Sequence, residues 1–343
     1  MGDTPKTCSI HAPCKINLHL AIKDRRADGF HNLESVFAAL DFGDDLFFEL
    51  AGKEGFYDLS LFQNSVSFGK GFRKTVLKDS FSFKSKEVLE KPHLIVNHSP
   101  DFGEFLPDLG EKNLISRAVS LFRQKTGFNQ ELRCVLDKKI PVGAGLGGGS
   151  SDAASTLIAL NSLSGANLSI ENLSEMAAIL GSDAPFFLKG GAAYVTGRGE
   201  HIKPLPQPPD YAVLLAKPPF HSLTAEAFRL FDQNSTRTSA KNIDSGSQGW
   251  RGSWPESSSE WLFYNDFLSV LPQSKIYTEI CHELRQNGAE FAGLSGSGSC
   301  CFGIFKDLQS AQKAEIAIKS AKIELNFTQC TFFLASAAIP VLE

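Results

Sequence analysis

The sequence predicts an α+β protein in two lobes. Strand-like and helix-like stretches mix along the chain without the strict alternation of a repeated βαβ unit. The chain has 343 residues, a length that corresponds to about two domains. A run holding four prolines, Pro204 to Pro209, marks a turn between the lobes.

The elements follow in order. Ile16, Leu18 and Leu20 alternate with Asn17 and His19, the period of a strand. Arg25 to Gly29 is a charged loop. The apolar run Leu33 to Leu40 leads into a Gly-Asp turn and a further strand at Leu46 to Leu50. Residues 51–110 are less regular. Within them, Val66 to Lys86 carries six basic residues against one acidic, interleaved with Phe68, Phe72, Phe81 and Phe83. That pattern fits either a twisted hairpin with a solvated face or a single-stranded nucleic-acid surface. Lys112 to Lys125 has helical spacing, with Gly127 as its stop. Glu131 to Pro141 is a strand that runs into a glycine-rich segment. A helix follows, with Ala153, Ala154, Leu157, Ile158 and Leu160 on one face. A second helix spans Ser169 to Gly181, with Ser169 as N-cap and Gly181 as terminator.

The second half opens with a buried strand, YAVLLAKPP, and a short helix, LTAEAFRLF, for which Thr224 is a candidate cap. Residues 232–260 are rich in Ser, Gly and Asn and read as a surface loop. The end reads as a helix (Lys275 to Gln286), a strand, a glycine turn, a helix (Gln309 to Ala321) and a final strand.

Composition removes several function classes. Hydrophobic residues make up 42% and charged residues 21%, which excludes global disorder and coiled coil. There are 34 Lys and Arg against 38 Asp and Glu, a net charge of −4, so no basic excess advertises nucleic acid. The opening lacks the apolar core of a secretory signal, and Lys6 stands where a myristoylation pattern needs Ser or Thr. The uncharged stretch Ala153 to Ile170 is laced with polar residues, and Phe327 to Leu342 is short for a membrane span. Seven cysteines, an odd number with no Cys-x-x-Cys, read as reduced thiols.

The strongest chemical signal is Pro141-Val142-Gly143-Ala144-Gly145-Leu146-Gly147-Gly148-Gly149-Ser150-Ser151-Asp152. Five glycines in seven positions are costly within any regular element and suit a backbone that approaches a ligand closely. The segment leads into a helix N-terminus, where unpaired N–H groups and the dipole favour an anion such as phosphate. A plain flexible turn is one alternative. A dinucleotide fingerprint through Gly143, Gly145 and Gly148 is another, weakened because a helix, not a strand, follows. No Gly-Lys-Ser/Thr completes a Walker A loop.

Three weaker signals accompany it. Gly181-Ser182-Asp183-Ala184-Pro185 sets a carboxylate in a tight loop, as either a cap or a functional group. Ala12-Pro13-Cys14-Lys15-Ile16-Asn17 sets Lys15 and Asn17 on one strand face, either at the surface or at a site. Gly293 to Gly298 is a second glycine-rich turn, either an ordinary β-turn or a ligand-closing loop.

In order and character these elements resemble the GHMP kinase superfamily, and the resemblance covers most of the chain. Within it, Arg25-Arg26-Ala27-Asp28-Gly29-Phe30-His31, Leu40-Asp41-Phe42-Gly43-Asp44, Gly181 to Phe187 and Asn265-Asp266-Phe267 resemble the branch that acts on a cytidine diphosphate derivative of methylerythritol. The resemblance implies a ribosomal-protein-S5-like N-terminal domain at 1–197, with an insertion at about 51–108. It implies a ferredoxin-like α/β-sandwich C-terminal domain at 198–343, with the loop 232–260.

It implies ATP as co-substrate with Mg²⁺, and phosphorylation of a substrate hydroxyl on the non-mevalonate route to isoprenoid precursors. Asp183 would accept the hydroxyl proton, and Lys15 would stabilise charge beside it. The segment Pro141, Val142, Gly143, Ala144, Gly145, Leu146, Gly147, Gly148, Gly149, Ser150 and Ser151 would cradle ATP. Asn17 would orient the substrate. Phe30 and His31 would recognise cytosine by stacking and hydrogen bonds, with Leu20, Leu33 and Phe228 lining an apolar pocket beside them. Ser295, Gly296, Ser297 and Gly298 would close the site. A monomer or weak homodimer in the cytoplasm is expected, without nucleic-acid or membrane partners. The alternatives are a GHMP kinase for homoserine, mevalonate or a sugar, and a non-catalytic binding protein on the same fold.

Overall fold

The computed structural model describes residues 6–51, 93–98, 113–233, 254, 257–336 and 341–342. The basic and aromatic stretch Val66 to Lys86 and most of the 232–260 loop lie outside the described residues.

The first sheet is built on a long antiparallel ribbon, β1 (Lys6–Arg25) with β2 (His31–Leu50), joined by the charged loop around Gly29. The expected Gly-Asp turn after Leu40 is instead a register shift within one continuous strand, where Pro13 pairs with Gly43 and Cys14 with Leu40. Gly43 is required there because a Cβ would strike the Ala12 carbonyl. The ribbon keeps its ladder by bulging rather than by turning.

Each half of β2 then recruits different neighbours. Leu46 to Leu50 lie against β4 (Leu132–Lys138), which pairs in parallel with β3 (His93–His98). Leu33 to Ala38 pair with β5 (Ala192–Gly197), which carries β6 (His201–Leu205) on its outer edge. Strand β6 takes this sheet past residue 197, and the proline run connects it to the second sheet.

That second sheet is antiparallel. Its order is β10 (Phe327–Phe332), β7 (Ala212–Lys217), β9 (Cys301–Phe305) and β8 (Phe291–Leu294). The last strand, β11 (Val341–Leu342), returns to β1.

Four helices cover one face of the first sheet: α1 (Leu114–Thr126), α2 (Gly148–Ser164), α3 (Ile170–Leu180) and the single turn α4 (Ala184–Phe187). Asn113 caps α1, and Gly127 ends it in the left-handed region at φ 73°. Ser169 caps α3 by accepting from the Asn172 N–H, whereas Gly181 ends it in extended backbone at φ 175°. Helix α2 is not amphipathic, as its spacing had indicated. It is buried almost all round, with Ile158 only partly covered, because it is wedged between β1 and the other helices. Helices α6 (Ser274–Gln286) and α7 (Leu308–Lys319) cover the second sheet, and α5 (Thr224–Gln233) flanks it.

The bulge changes the partner of the apolar set on β1. Cys8, Ile10 and Ala12 pack beneath the helices. Cys14, Ile16 and Leu18 pack against Val213, Leu215, Phe302 and Ile304 of the second sheet. Lys15 and Asn17, which point the other way, are thereby aimed at the start of α2.

Candidate active site

The glycine segment forms a tight loop between β4 and α2, pinned from three directions. The Lys15 N–H donates to the Leu146 carbonyl at 3.0 Å. The Cys300 N–H donates to the Ala144 carbonyl at 3.1 Å, and the Ser295 hydroxyl to the Gly145 carbonyl at 2.8 Å. Two glycines have no substitute. Gly145, at φ 75°, lies so close to the Ser295 carbonyl that a Cβ could not fit. Gly147, at φ 71°, would put a Cβ 2.9 Å from Phe187 and 3.1 Å from Lys15 Cε.

Below the loop sits the pair expected from the sequence. Lys15 Nζ lies 3.3 Å from Asp183 Oδ2 and donates to Asn17 Oδ1 at 2.6 Å. It also lies 4.5 Å from the centroid of the Phe37 ring, a face that attracts a cation. Lys15 is 3% exposed, so the surface alternative is removed. Asp183 precedes α4 but makes no capping bond. Its carboxylate turns to Lys15 while remaining a third exposed, open to a ligand. Asn17 is fixed by donating to the Ser35 hydroxyl at 2.9 Å, and its backbone N–H donates to Ser295 Oγ.

These groups line one cleft of about 860 Å³, which also takes in Leu20, Phe30, His31, Leu33 and Phe228. From the segment Pro141 to Ser151, all but Ser151 reach it. From the second glycine turn, Gly296 and Ser297 reach it but Ser295 and Gly298 do not. Ser151 is fully buried, and its hydroxyl has no partner among the described residues. Ser295 acts from behind, holding Gly145 and Asn17. Thr224 bonds Ser297 Oγ at 3.0 Å.

The far end of the cleft is aromatic. His31 stacks on Phe228 at 5.6 Å with planes 9° apart. Its Nε2 lies 2.8 Å from Asp232 Oδ1, and its Nδ1 lies 3.4 Å from the Lys23 carbonyl. Both ring nitrogens therefore face protein acceptors. Phe30 is 56% exposed at the mouth.

One buried cluster joins two segments singled out in the sequence through a lysine that belongs to neither. Lys138, at the end of β4, pairs with Asp44 and with Asp152 of α2, the latter at 3.1 Å. Asp44 also accepts the N–H groups of Lys139 and Ile140, at 2.5 and 2.8 Å. Burial opposes the charge of Lys138, but Asp152 and Asp44 raise its pKa above the ordinary lysine value. Burial pushes Asp152 well above the carboxylate range, opposed by Lys138 and reinforced by the like charge of Asp44. The cluster anchors the strand end from which the glycine loop springs. Asp44 and Asp152 each end one of those segments, but their pairing with Lys138, 94 residues from Asp44, is not legible in the sequence.

All seven cysteines are free and six of them are buried. Among the described residues no helix is long and apolar enough to cross a membrane.

Comparison with known proteins gives the same picture. The model of the GHMP kinases N terminal domain matches residues 113–191, and that of the GHMP kinases C terminal domain matches 259–323. The chain is 32% identical to 4-diphosphocytidyl-2-C-methyl-D-erythritol kinase of Thermodesulfovibrio yellowstonii, over 90% of this chain and 92% of that protein. It is 35% identical to the enzyme of the same name from Desulfitobacterium hafniense, over 88% of each. A crystal structure of 4-(cytidine 5'-diphospho)-2C-methyl-D-erythritol kinase superposes with TM-score 0.65 at 26% identity, covering 95% of this chain and 98% of that one. Homoserine kinase from Cytophaga hutchinsonii, at 15% identity and TM-score 0.59, shares the fold. The chain belongs to the GHMP kinase family, and within it to the 4-diphosphocytidyl-2-C-methyl-D-erythritol kinases.

Proposed function

We propose that this chain transfers the γ-phosphoryl group of ATP to the 2-hydroxyl of 4-diphosphocytidyl-2-C-methyl-D-erythritol, giving the 2-phosphate and ADP. One observation carries the reading. A glycine loop at a helix N-terminus, a Lys–Asp pair and an aromatic base platform share a single cleft. Kinases of this name are similar along nearly the whole chain.

The steps follow from the groups present. The backbone N–H groups from Gly143 to Ser150 receive the triphosphate. The tertiary hydroxyl enters between Asp183 and the γ-phosphoryl group. Asp183 orients it and takes its proton, and Lys15 neutralises charge on the nucleophilic and transferring oxygens. Phosphoryl transfer has a loose transition state, so positioning and charge neutralisation supply most of the acceleration. Lys15 is itself positioned by Asn17. The cytosine lies against Phe30, His31 and Phe228, and this anchoring separates its substrate from smaller alcohols.

Mg²⁺ fits the same site. Among the described residues no cluster of three His, Cys, Asp or Glu forms a cage, and Mg²⁺ is commonly bound through phosphates with one or two protein oxygens. Ser150 and Asp183, both on the cleft wall, would hold it. There it would screen charge on the phosphates. Seven free thiols suit a reducing, cytoplasmic setting, and a monomer is sufficient for a cleft completed within one chain.

An ADP-release assay with the cytidyl substrate, mevalonate and homoserine tests the function. Turnover of the cytidyl substrate alone is expected. Turnover of another alcohol in its place overturns the assignment.

A further inference from the structure

The substrate proposed above is charged in its middle, since a diphosphate joins the cytidine to the polyol. Its two ends are placed by Phe30–His31 and by Asp183–Lys15. Something between them must face the two phosphates. The cations already described are committed: Lys15 to Asp183 and Asn17, and Lys138 to Asp44 and Asp152.

Arg198 is not. It sits at the tip of the hairpin joining β5 to β6, between Gly197 at φ 71° and Gly199 at φ 123°. The hairpin bridges the two ends of the cleft. On one side a Cβ at Gly199 would lie 3.1 Å from Ser182 Cβ, the neighbour of Asp183. On the other, the Arg198 guanidinium lies 5.0 Å from the centroid of the Phe30 ring. Arg198 lines the cleft, is exposed, and forms no ion pair among the described residues. Its charge is felt by Asp28 and Glu200 without direct pairing, and both carboxylates hold other partners. Asp28 accepts from Arg26 and from the Phe30 N–H, and Glu200 accepts the Arg198 backbone N–H.

We propose that Arg198, held over the Phe30 ring at the waist of the cleft, binds the diphosphate of the cytidyl substrate. A planar guanidinium offers paired donors to phosphate oxygens, and the aromatic face attracts the cation and holds it near the site before the substrate arrives. Recognition then reads base and diphosphate together, so that cytidine alone is a weak ligand. The inference rests on the cytidyl reading, and its test separates the two.

The test measures binding of cytidine and of CDP by titration calorimetry, to the wild-type chain, to Arg198→Gln, which keeps a planar amide on Phe30, and to Arg198→Lys. Wild type is expected to bind CDP about tenfold or more tightly than cytidine. In Arg198→Gln that preference should collapse while cytidine binding stays within about twofold. Arg198→Lys should restore part of it. In steady state the Gln variant should raise KM for the cytidyl substrate with kcat and the ATP KM little changed. Equal losses for cytidine and CDP would make Arg198 a mere support for Phe30 and overturn the proposal, as would an unchanged preference. Wild-type protein that binds neither ligand would instead overturn the cytidyl reading itself.

Discussion

Gly147→Ala tests whether the glycine loop and the reacting lysine are one machine. Two costs are readable at this position. The backbone sits at φ 71°, where any residue with a Cβ pays roughly 1–2 kcal/mol. The new methyl would also lie 3.1 Å from Lys15 Cγ and Cε and 2.9 Å from Phe187. Those contacts force the lysine to move by several tenths of an ångström. Gly127→Ala is the control. It has φ 73° with nothing within 4 Å of the added atom, so it pays the backbone cost alone.

Gly127→Ala should lose about 1–2 kcal/mol in denaturant titrations monitored by circular dichroism, and Gly147→Ala more, because its clashes add to the backbone cost. Only Gly147→Ala should lose turnover, by up to about 100-fold, since small misplacements of reacting groups carry penalties of that size. A Gly147→Ala enzyme with kcat within twofold of wild type would refute the coupling. So would an equal loss of kcat in the control.

Three further outcomes are expected. Asp183→Asn should lower kcat by 100-fold or more while nucleotide affinity, measured by titration with a non-hydrolysable ATP analogue, changes by less than about threefold; near-normal turnover would remove Asp183 from the reaction. Asp232→Asn should raise KM for the cytidyl substrate several-fold and leave the ATP KM alone, because the His31 ring loses the carboxylate that orients it at 2.8 Å; an effect on kcat without one on KM would contradict that role. His19 is buried, and burial, aided by the charge of Lys23, lowers its pKa from 6.5 to about 4. Its folded pKa lies below its unfolded one, so its stabilising effect is complete above pH 6.5 and is lost as pH falls towards 4. The loss corresponds to roughly 3 kcal/mol. His19→Gln should flatten the decline in denaturation midpoint between those two pH values, and an unaltered decline would show that other groups cause it.

The site was legible in the sequence where its chemistry is local. The glycine segment, Lys15 with Asn17, and Asp183 each announce themselves within a few residues, and the fold brings them together as expected. Strand and helix order was legible for the same reason, from periodicity and caps. What escaped depends on distant pairing. Gly43 reads as a turn residue, because its partner strand, which makes it a bulge, is absent from the local pattern. Asp44 and Asp152 end segments singled out in the sequence, but Lys138, the partner they share, looks like an ordinary charged residue until β2, β4 and α2 converge. Arg198 and Asp232 gain meaning only when a hairpin and a helix flank Phe30 and His31. Ser151 had looked like a phosphate ligand by its place in the motif, but the helical turn rotates it into the core. Helix α2 misled similarly: small residues on every side let it be buried all round, and spacing reports only one face.

The most direct test is a crystal structure of the chain with a non-hydrolysable ATP analogue and the cytidyl substrate bound together. The 2-hydroxyl should lie within hydrogen-bond reach of Asp183 and about 3–3.5 Å from the γ-phosphorus. Lys15 Nζ should touch both partners, and the triphosphate should lie along Gly143 to Ser150. A terminal phosphate held elsewhere, with Asp183 and Lys15 facing only solvent, would contradict the account.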